Sequence, residues 1–252
     1  MGNKAQRQNQ LIDIIKEKGV LPVRTLSSIL GVSEMTVRRD LDELQNTPVN
    51  SLHPQEEPQN SEQEYSLLTA LQQSNEQKSK IGKFAASLIQ KNDVLIIDTG
   101  STTAKMLPHI PNGQNLTILC YNTNVLFHLT QNTDAKLLFS GGFYHRNAEM
   151  FESPEGLQLI SRTRANKVFI AAAGIHRELG ITCSNNYEVA TKTAAMKSSQ
   201  EKILVADSSK FDKLCSSYFC SLSDIDTIIT DSNLSEEWRD YLTKSGITLH
   251  LV

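Results

Sequence analysis

Val94–Thr103 reads V-L-I-I-D-T-G-S-T-T. Four apolar residues in succession leave no wet face, so the run reads as a strand covered on both sides. It stops at Asp98, turns at Gly100 and gives way to a helix expected over Thr102–Leu107. The pattern recurs downstream. Strands are expected at Val94–Asp98, Leu116–Tyr121, Ala135–Phe139, Val168–Ala172, Ile203–Ala206, Thr227–Thr230 and Ile247–Leu251. Helices are expected between them, at Thr102–Leu107, Thr123–Thr130, Glu155–Ser161, Tyr187–Ser199 and Glu236–Ser245. Buried strands alternating with helices make a mostly parallel α/β sheet, and such sheets bind ligands outside the carboxyl ends of their strands.

That rule directs attention to Asp98–Thr103. Gly100 admits close approach, while Ser101, Thr102 and Thr103 put hydroxyls and amides at a helix start, a cradle suited to phosphate. A plain strand-to-helix turn has the same composition. Neither G-x-x-x-x-G-K-[ST] nor G-x-G-x-x-G occurs, so this is no nucleotide loop. D-S-S-K-F at Asp207–Phe211 brings Lys210 to another strand end. Glu188 and Lys192, spaced i,i+4, fit a solvated helix pair as well as a site.

Upstream the periodicity differs. A helix with Ile81, Phe84, Ala85 and Leu88 on one side is expected over Lys78–Leu88, and a shorter one over Tyr65–Gln72. Asn46 to about Asn60 is rich in Pro, Asn, Gln and Glu, the composition of a linker. Before it, Ser33–Leu41 reads S-E-M-T-V-R-R-D-L. Ser33 is a good N-cap; Val37, Leu41 and Leu44 form an apolar stripe, and Thr36, Arg38 and Arg39 lie opposite, suited to phosphates and base edges. Val23–Leu30 is a second short amphipathic helix, with Gly31-Val32 as the turn. Helix, tight turn, helix is the helix-turn-helix unit, though a helical hairpin with a solvated basic face has the same periodicity. The expected organisation is a helix-turn-helix domain over 1–52, a linker and interdomain helix over 53–76, and an α/β domain over 77–252.

Composition narrows the function classes. No apolar run approaches the roughly 18 residues of a membrane span, and the polar start M-G-N-K-A-Q-R-Q-N-Q lacks a signal-peptide core. Cys120, Cys183, Cys215 and Cys220 form no C-x-x-C pair, so they are expected as reduced core residues with no metal. A cytoplasmic protein is expected. The net charge of −3 and pI near 6.1 give little whole-molecule attraction to DNA. Affinity for duplex DNA must then come from clustering on one face and from doubling in a homo-oligomer.

The first 45 residues resemble the DeoR family of bacterial sugar-metabolism regulators, through Arg7, Leu11 and Ile15 on a first helix and Ser33, Thr36-Val37-Arg38-Arg39-Asp40-Leu41 at the expected distance. The resemblance implies that Ser33, Met35, Thr36, Arg38 and Arg39 contact groove and phosphates, and that Asp40 holds an arginine in place. It implies a winged-helix-like head, but the wing is reduced: Thr47–Asn60 has none of the arginine, lysine or glycine of the usual basic wing. Downstream, D-T-G-S-T-T, Tyr121-Asn122, S-G-G at Ser140–Gly142, A-A-G at Ala172–Gly174 and D-S-S-K-F follow in the order of the family's sensor domain. That domain resembles ribose-5-phosphate isomerase in fold. By position, Gly100, Ser101, Thr102 and Thr103 would hold a sugar phosphate and Lys210 would pair with the phosphate or a sugar oxygen. Asp98, Asn122, Glu188 and Lys192 would line the sugar end. Cys120-Tyr121, G-G-x-x-H-x-x-N-A at Gly141–Ala148, and A-A-G-I-H with T-C within Ala172–Cys183 resemble the branch serving deoxyribonucleoside catabolism. His145 and His176 belong to that likeness, although a lone histidine is as readily a structural hydrogen-bonding residue.

These readings lead to a repressor of a sugar or deoxyribonucleoside operon, released by a phosphorylated sugar, deoxyribose 5-phosphate first, with another pentose or hexose phosphate as alternative. It needs no cofactor. The competing class is a sugar-phosphate isomerase fused to a DNA-binding head. The isomerases that resemble this fold carry D-G-A-D and K-G-G-G-G stretches, which are absent here.

Overall fold

The computed structural model describes residues 4, 7, 10, 14, 23–33, 35–37, 39, 40, 67, 70 and 74–252. The chain divides into two compact units, Met1–Glu62 and Gln63–Val252. Leu11, Ile15, Arg38, Leu41, Leu44 and the segment Thr47–Asn60 lie outside the described residues.

In the first unit, α1 spans Val23–Leu30. Gly31 ends it at φ +64°, a left-handed conformation in which a side chain would be strained. The Ser27 hydroxyl donates to the Val32 carbonyl at 2.6 Å and fixes the turn. Ser33 then caps the next helical residues as its sequence predicts, its hydroxyl accepting the Thr36 N–H at 3.2 Å. Leu26 and Val37 are buried, and Val37 is a position that the apolar periodicity assigns to the core.

In the second unit the strands are β1 (Val94–Ile97), β2 (Thr117–Cys120), β3 (Lys136–Phe139), β4 (Phe143–His145), β5 (Met150–Glu152), β6 (Ala165–Ala171), β7 (Gly174–His176), β8 (Gly180–Cys183), β9 (Ser199–Val205), β10 (Ser217–Cys220), β11 (Thr227–Thr230) and β12 (Thr248–Leu251). The helices are α2 (Asn75–Ser87), α3 (Ser101–Ala104), α4 (Thr123–Asn132), α5 (Pro154–Arg162), α6 (Asn186–Lys197) and α7 (Glu236–Lys244). Seven strands form one sheet in the order β12-β11-β9-β6-β1-β2-β3, and all its pairings are parallel.

Both faces are covered, which is why the strands inside the sheet, such as β1 and β6, carry no polar alternation. Ile96, Leu119, Val168, Ile170, Leu204 and Ile228 join Ile160, Ala195, Met196, Trp238 and Leu242 in one core. Leu95, Ile97, Ile118, Phe169, Ile203 and Val205 point the other way, onto Ile81, Ala85, Val125 and Leu129. Each such side chain removed from water contributes roughly 1.5–3 kcal/mol.

The single expected helix over Thr102–Leu107 is instead α3 followed by a 3-10 turn at Leu107–His109. Pro108 lacks the N–H that a continuing helix needs. Two small sheets were not expected, the β4–β5 hairpin and an antiparallel β10-β8-β7 sheet. In the β7–β8 turn the His176 Nδ1 accepts the N–H groups of Glu178 and Leu179, both at 3.2 Å. His176 is therefore a turn residue.

Candidate functional site

The sheet changes direction at β1. The chain proceeds to β2 and β3 on one side, then returns to place β6 on the other. Ligands settle in the crevice at such a switch point, and here it lies between the ends of β1 and β6. A Cβ on Gly100 would stand 2.6 Å from the Ala171 Cβ, so only glycine allows these strand ends to approach. Ser101 and Thr102 open α3 with first-turn amides that have no intrahelical acceptor.

A cavity of about 250 Å³ opens there, lined by Ala70, Thr99, Gly100, Ser101, Thr102, Ala171, Ala172, Ala173, Cys183, Ser184, Glu188, Lys192, Lys210 and Cys215. Its floor is a buried charge cluster. Asp98 is fully buried. One of its carboxylate oxygens accepts the Tyr121 hydroxyl at 2.5 Å; the other accepts the Ala171 N–H at 2.9 Å and the Lys192 ammonium. Lys192 also donates to the Ala171 carbonyl at 3.1 Å and lies 3.6 Å from Glu188. Burial alone would lower the Lys192 pKa, but Asp98 and then Glu188 outweigh it and hold the ammonium above its ordinary value. Burial raises the Glu188 carboxyl, with Lys192 and hydrogen bonds from Asn185 opposing. The i,i+4 pair is thus no solvated helix pair: both residues are buried on the cavity wall.

Lys210 reaches the cavity from a 3-10 turn, Ser208–Lys210. Asp231, at the end of β11, anchors that turn by accepting the Ser208 N–H at 2.7 Å and its hydroxyl at 2.9 Å. Burial would raise the Asp231 carboxyl, but these bonds and the Asn233 N–H outweigh it and hold it below its ordinary value. The Lys210 side chain has no ion-pair or hydrogen-bond partner among the described residues, so its charge is available to a ligand.

Of the residues expected at the site, Gly100, Ser101, Thr102, Glu188, Lys192 and Lys210 share this cavity. Three are corrected. Thr103 is fully buried and its hydroxyl donates to the Gly100 carbonyl at 2.9 Å, which turns it away from the cavity. Asn122 is fully buried at the N-cap position of α4, off the cavity wall. Asp98 acts from beneath, through Lys192. His145 stacks on Tyr187 at 3.6 Å between ring centres and stands 3.1 Å from Glu152, outside the cavity. The sequence reading missed Lys78, buried next to the Lys210 turn. Its signal was there: Lys78 stands three residues before Ile81, on the buried face of α2.

In the first unit Met35 is 79% exposed, Arg39 is exposed and Thr36 is half-buried. They share one surface hollow with Lys4, Arg7 and Ser33. Asp40 is buried and accepts from Arg7 at 2.5 and 3.0 Å, a bidentate bond that ties the first helical segment to the Met35–Asp40 segment. It is the arginine contact that the resemblance implied. Arg38 lies outside the described residues.

Comparison with known proteins agrees with both halves. Residues 7–50 match the DeoR-like helix-turn-helix domain, and residues 73–232 match the DeoR C terminal sensor domain. The deoxyribose operon repressor of Escherichia coli K12 is 30% identical over 98% of both chains. The HTH-type transcriptional regulator GolR of Listeria innocua is 26% identical over 98% of both. Among solved structures, ribose 5-phosphate isomerase A of Methanocaldococcus jannaschii aligns over 54% of both chains at 14% identity and TM-score 0.39. With a helix-turn-helix at its head and a parallel α/β sensor behind it, matched in order and along nearly its whole length, the chain belongs to the DeoR family of DNA-binding transcriptional regulators.

Proposed function

We propose that this protein is a cytoplasmic repressor of a sugar or deoxyribonucleoside catabolic operon, working as a homo-oligomer and released by a phosphorylated sugar, with deoxyribose 5-phosphate as the first candidate. One observation carries the ligand reading. The Gly100–Thr102 turn and the unpaired Lys210 face the same cavity as the buried Lys192–Glu188 pair. The first pair of features suits a phosphate, and the second can hydrogen-bond sugar hydroxyls. At about 250 Å³ the cavity falls near the small end of ligand pockets, roughly 300–1,000 Å³, a size for one phosphorylated monosaccharide rather than a nucleotide. Ser33, Met35, Thr36, Arg38 and Arg39 are proposed as the DNA contacts, supported by the exposed surface that Met35, Thr36 and Arg39 share.

Release follows from linkage: the effector shifts the DNA-bound population only through unequal affinity for the free and bound states. The test is a DNA-release titration on a duplex selected by the protein from random sequence, with deoxyribose 5-phosphate, ribose 5-phosphate and hexose phosphates in parallel. Lys210→Ala and Ser101→Ala should bind the duplex like the parent yet need roughly 10–150 times more sugar phosphate, the equivalent of about 1.5–3 kcal/mol for a hydrogen bond to a charged group. Arg38→Ala and Arg39→Ala should weaken DNA binding without altering ligand affinity. Normal release of both site variants at unchanged concentration would refute the assignment of the cavity, and release by another sugar phosphate alone would replace the effector.

A further inference from the structure

Among the described residues of this domain the buried lysines are answered by carboxylates, two of them closely and the third only at the limit of an ion pair. Lys167 lies 2.7 Å from Asp93 and Lys192 bonds Asp98. Lys78 is 1% exposed, yet its nearest carboxylate among the described residues, Asp207, stands 3.9 Å away. Its short contact is to a backbone carbonyl, that of Ala70, at 2.7 Å. Burial lowers the Lys78 pKa to about 8, with Asp207 pulling upward and Lys210 and Lys105 pushing further down. A charge buried at such cost does more than fill space, which a Met or Leu would do better.

What it holds explains the expense. Ala70 belongs to the stretch through which the chain enters this domain, and it forms part of the wall of the ligand cavity. Three residues earlier, the buried Leu67 donates its N–H to the Asn147 carbonyl at 2.9 Å. The Asn147 side chain in turn accepts the Tyr187 hydroxyl at 2.6 Å, one residue before Glu188. The entering segment is therefore bonded at Leu67 next to the N-terminal turn of α6, and at Ala70 next to the Asp207–Lys210 loop. These elements carry Glu188 and Lys210, two charged groups of the cavity.

We infer that Lys78 is a positioning residue for the ligand site: it clamps Ala70 onto the cavity wall beside the Lys210 loop, and so makes the segment arriving from the DNA-binding unit respond to what occupies the cavity. The inference rests on the proposed sugar-phosphate reading for its second half only; the clamp itself is independent of the ligand.

Amide hydrogen exchange tests both halves on the full chain. Without ligand, Lys78→Met, which keeps length without charge, should speed exchange over 63–74 roughly tenfold, while the β1 amides keep the parent rate. Lys78→Arg, which keeps the donor, should stay close to the parent. Unchanged exchange over 63–74 in Lys78→Met overturns the clamp, and equal acceleration in β1 overturns it as well, since the effect is then general destabilisation. The parent alone supplies a further measurement. Deoxyribose 5-phosphate, at a concentration that raises the unfolding temperature, should slow exchange over 63–74, and a bound ligand that leaves this segment unaltered overturns the coupling. If no sugar phosphate raises the parent's unfolding temperature, the ligand reading fails, and the ligand-free comparison still decides the clamp.

Discussion

Replacing Lys192 by methionine removes the cation from a pocket that holds two buried carboxylates and leaves everything else about the same size. Asp98 would keep the Tyr121 hydroxyl and the Ala171 N–H as donors, but would lose its only cationic partner among the described residues. Glu188 would lose the charge 3.6 Å away that opposes its desolvation. Breaking a buried pair from one side costs about 3–5 kcal/mol, because the remaining charge stays buried without compensation. That is a large part of the roughly 5–15 kcal/mol of a typical domain, and at roughly 2–4 °C per kcal/mol for 150–250 residues it lowers the unfolding temperature by about 6–20 °C.

The pH dependence gives a second, sharper signature. Burial already raises the folded-state pKa of Glu188 above its unfolded value, and Lys192 restrains that rise. A carboxyl raised in the folded state contributes stability that is lost as pH rises through the folded value. Without Lys192 that loss deepens, so the penalty should be smaller at pH 5 than at pH 8. Urea unfolding followed by Trp238, the single tryptophan of the chain and 1% exposed, measures this domain directly. Asp98→Asn combined with Lys192→Met should cost less than the two single changes added together, with a coupling of about 1–3 kcal/mol. A loss below about 1 kcal/mol in Lys192→Met, or strict additivity in the cycle, would refute a paired cluster under the cavity.

Two further outcomes follow from the same groups. Burial raises Cys120, Cys183 and Cys220 to about 12, whereas Cys215 is half-buried on the cavity wall. A thiol reagent at pH 8 should therefore modify Cys215 first, and a bound sugar phosphate should slow that reaction; mass spectrometry of the labelled peptides checks both. Lys78 has a folded pKa of about 8 against 10.5 unfolded, so between these values the unfolded chain holds the additional proton and stability rises with pH, by at most about 3 kcal/mol. Parent and Lys78→Met compared by urea unfolding from pH 7.5 to 10.5 should differ in this slope, the thiols contributing equally to both; parallel curves would show that burial does not lower the Lys78 pKa in the folded protein.

The parts of the molecule legible in its sequence are those where one physical demand dominates. Val94–Ile97 is apolar throughout, and Thr227–Thr230 is buried along its whole length, because both sheet faces are covered and no solvent-facing alternation blurs the signal. The three- and four-residue strands of the two small sheets escape for the opposite reason. Gly174–His176 and Gly180–Cys183 are held by pairing across a turn and by Ser217–Cys220, which lies far along the chain, and no local period announces a distant partner. Strand order is hidden likewise, since β6 pairs with β1 across the whole β2–β5 excursion. Within the site, Gly100 and Lys210 stand out at strand ends, where chemistry is expected. Lys78 does not, because Lys78 and Lys80 look alike in N-E-Q-K-S-K-I-G while one is buried and the other is 59% exposed. Helical phase separates them: Lys78 shares the face of Ile81 and Ala85, and Lys80 does not. A lysine in phase with the apolar stripe of a helix has to find a partner for its ammonium in the interior. Here that partner is the carbonyl of the segment leading in from the DNA-binding unit, so a residue that looks solvated in the sequence becomes a physical link between cavity and linker.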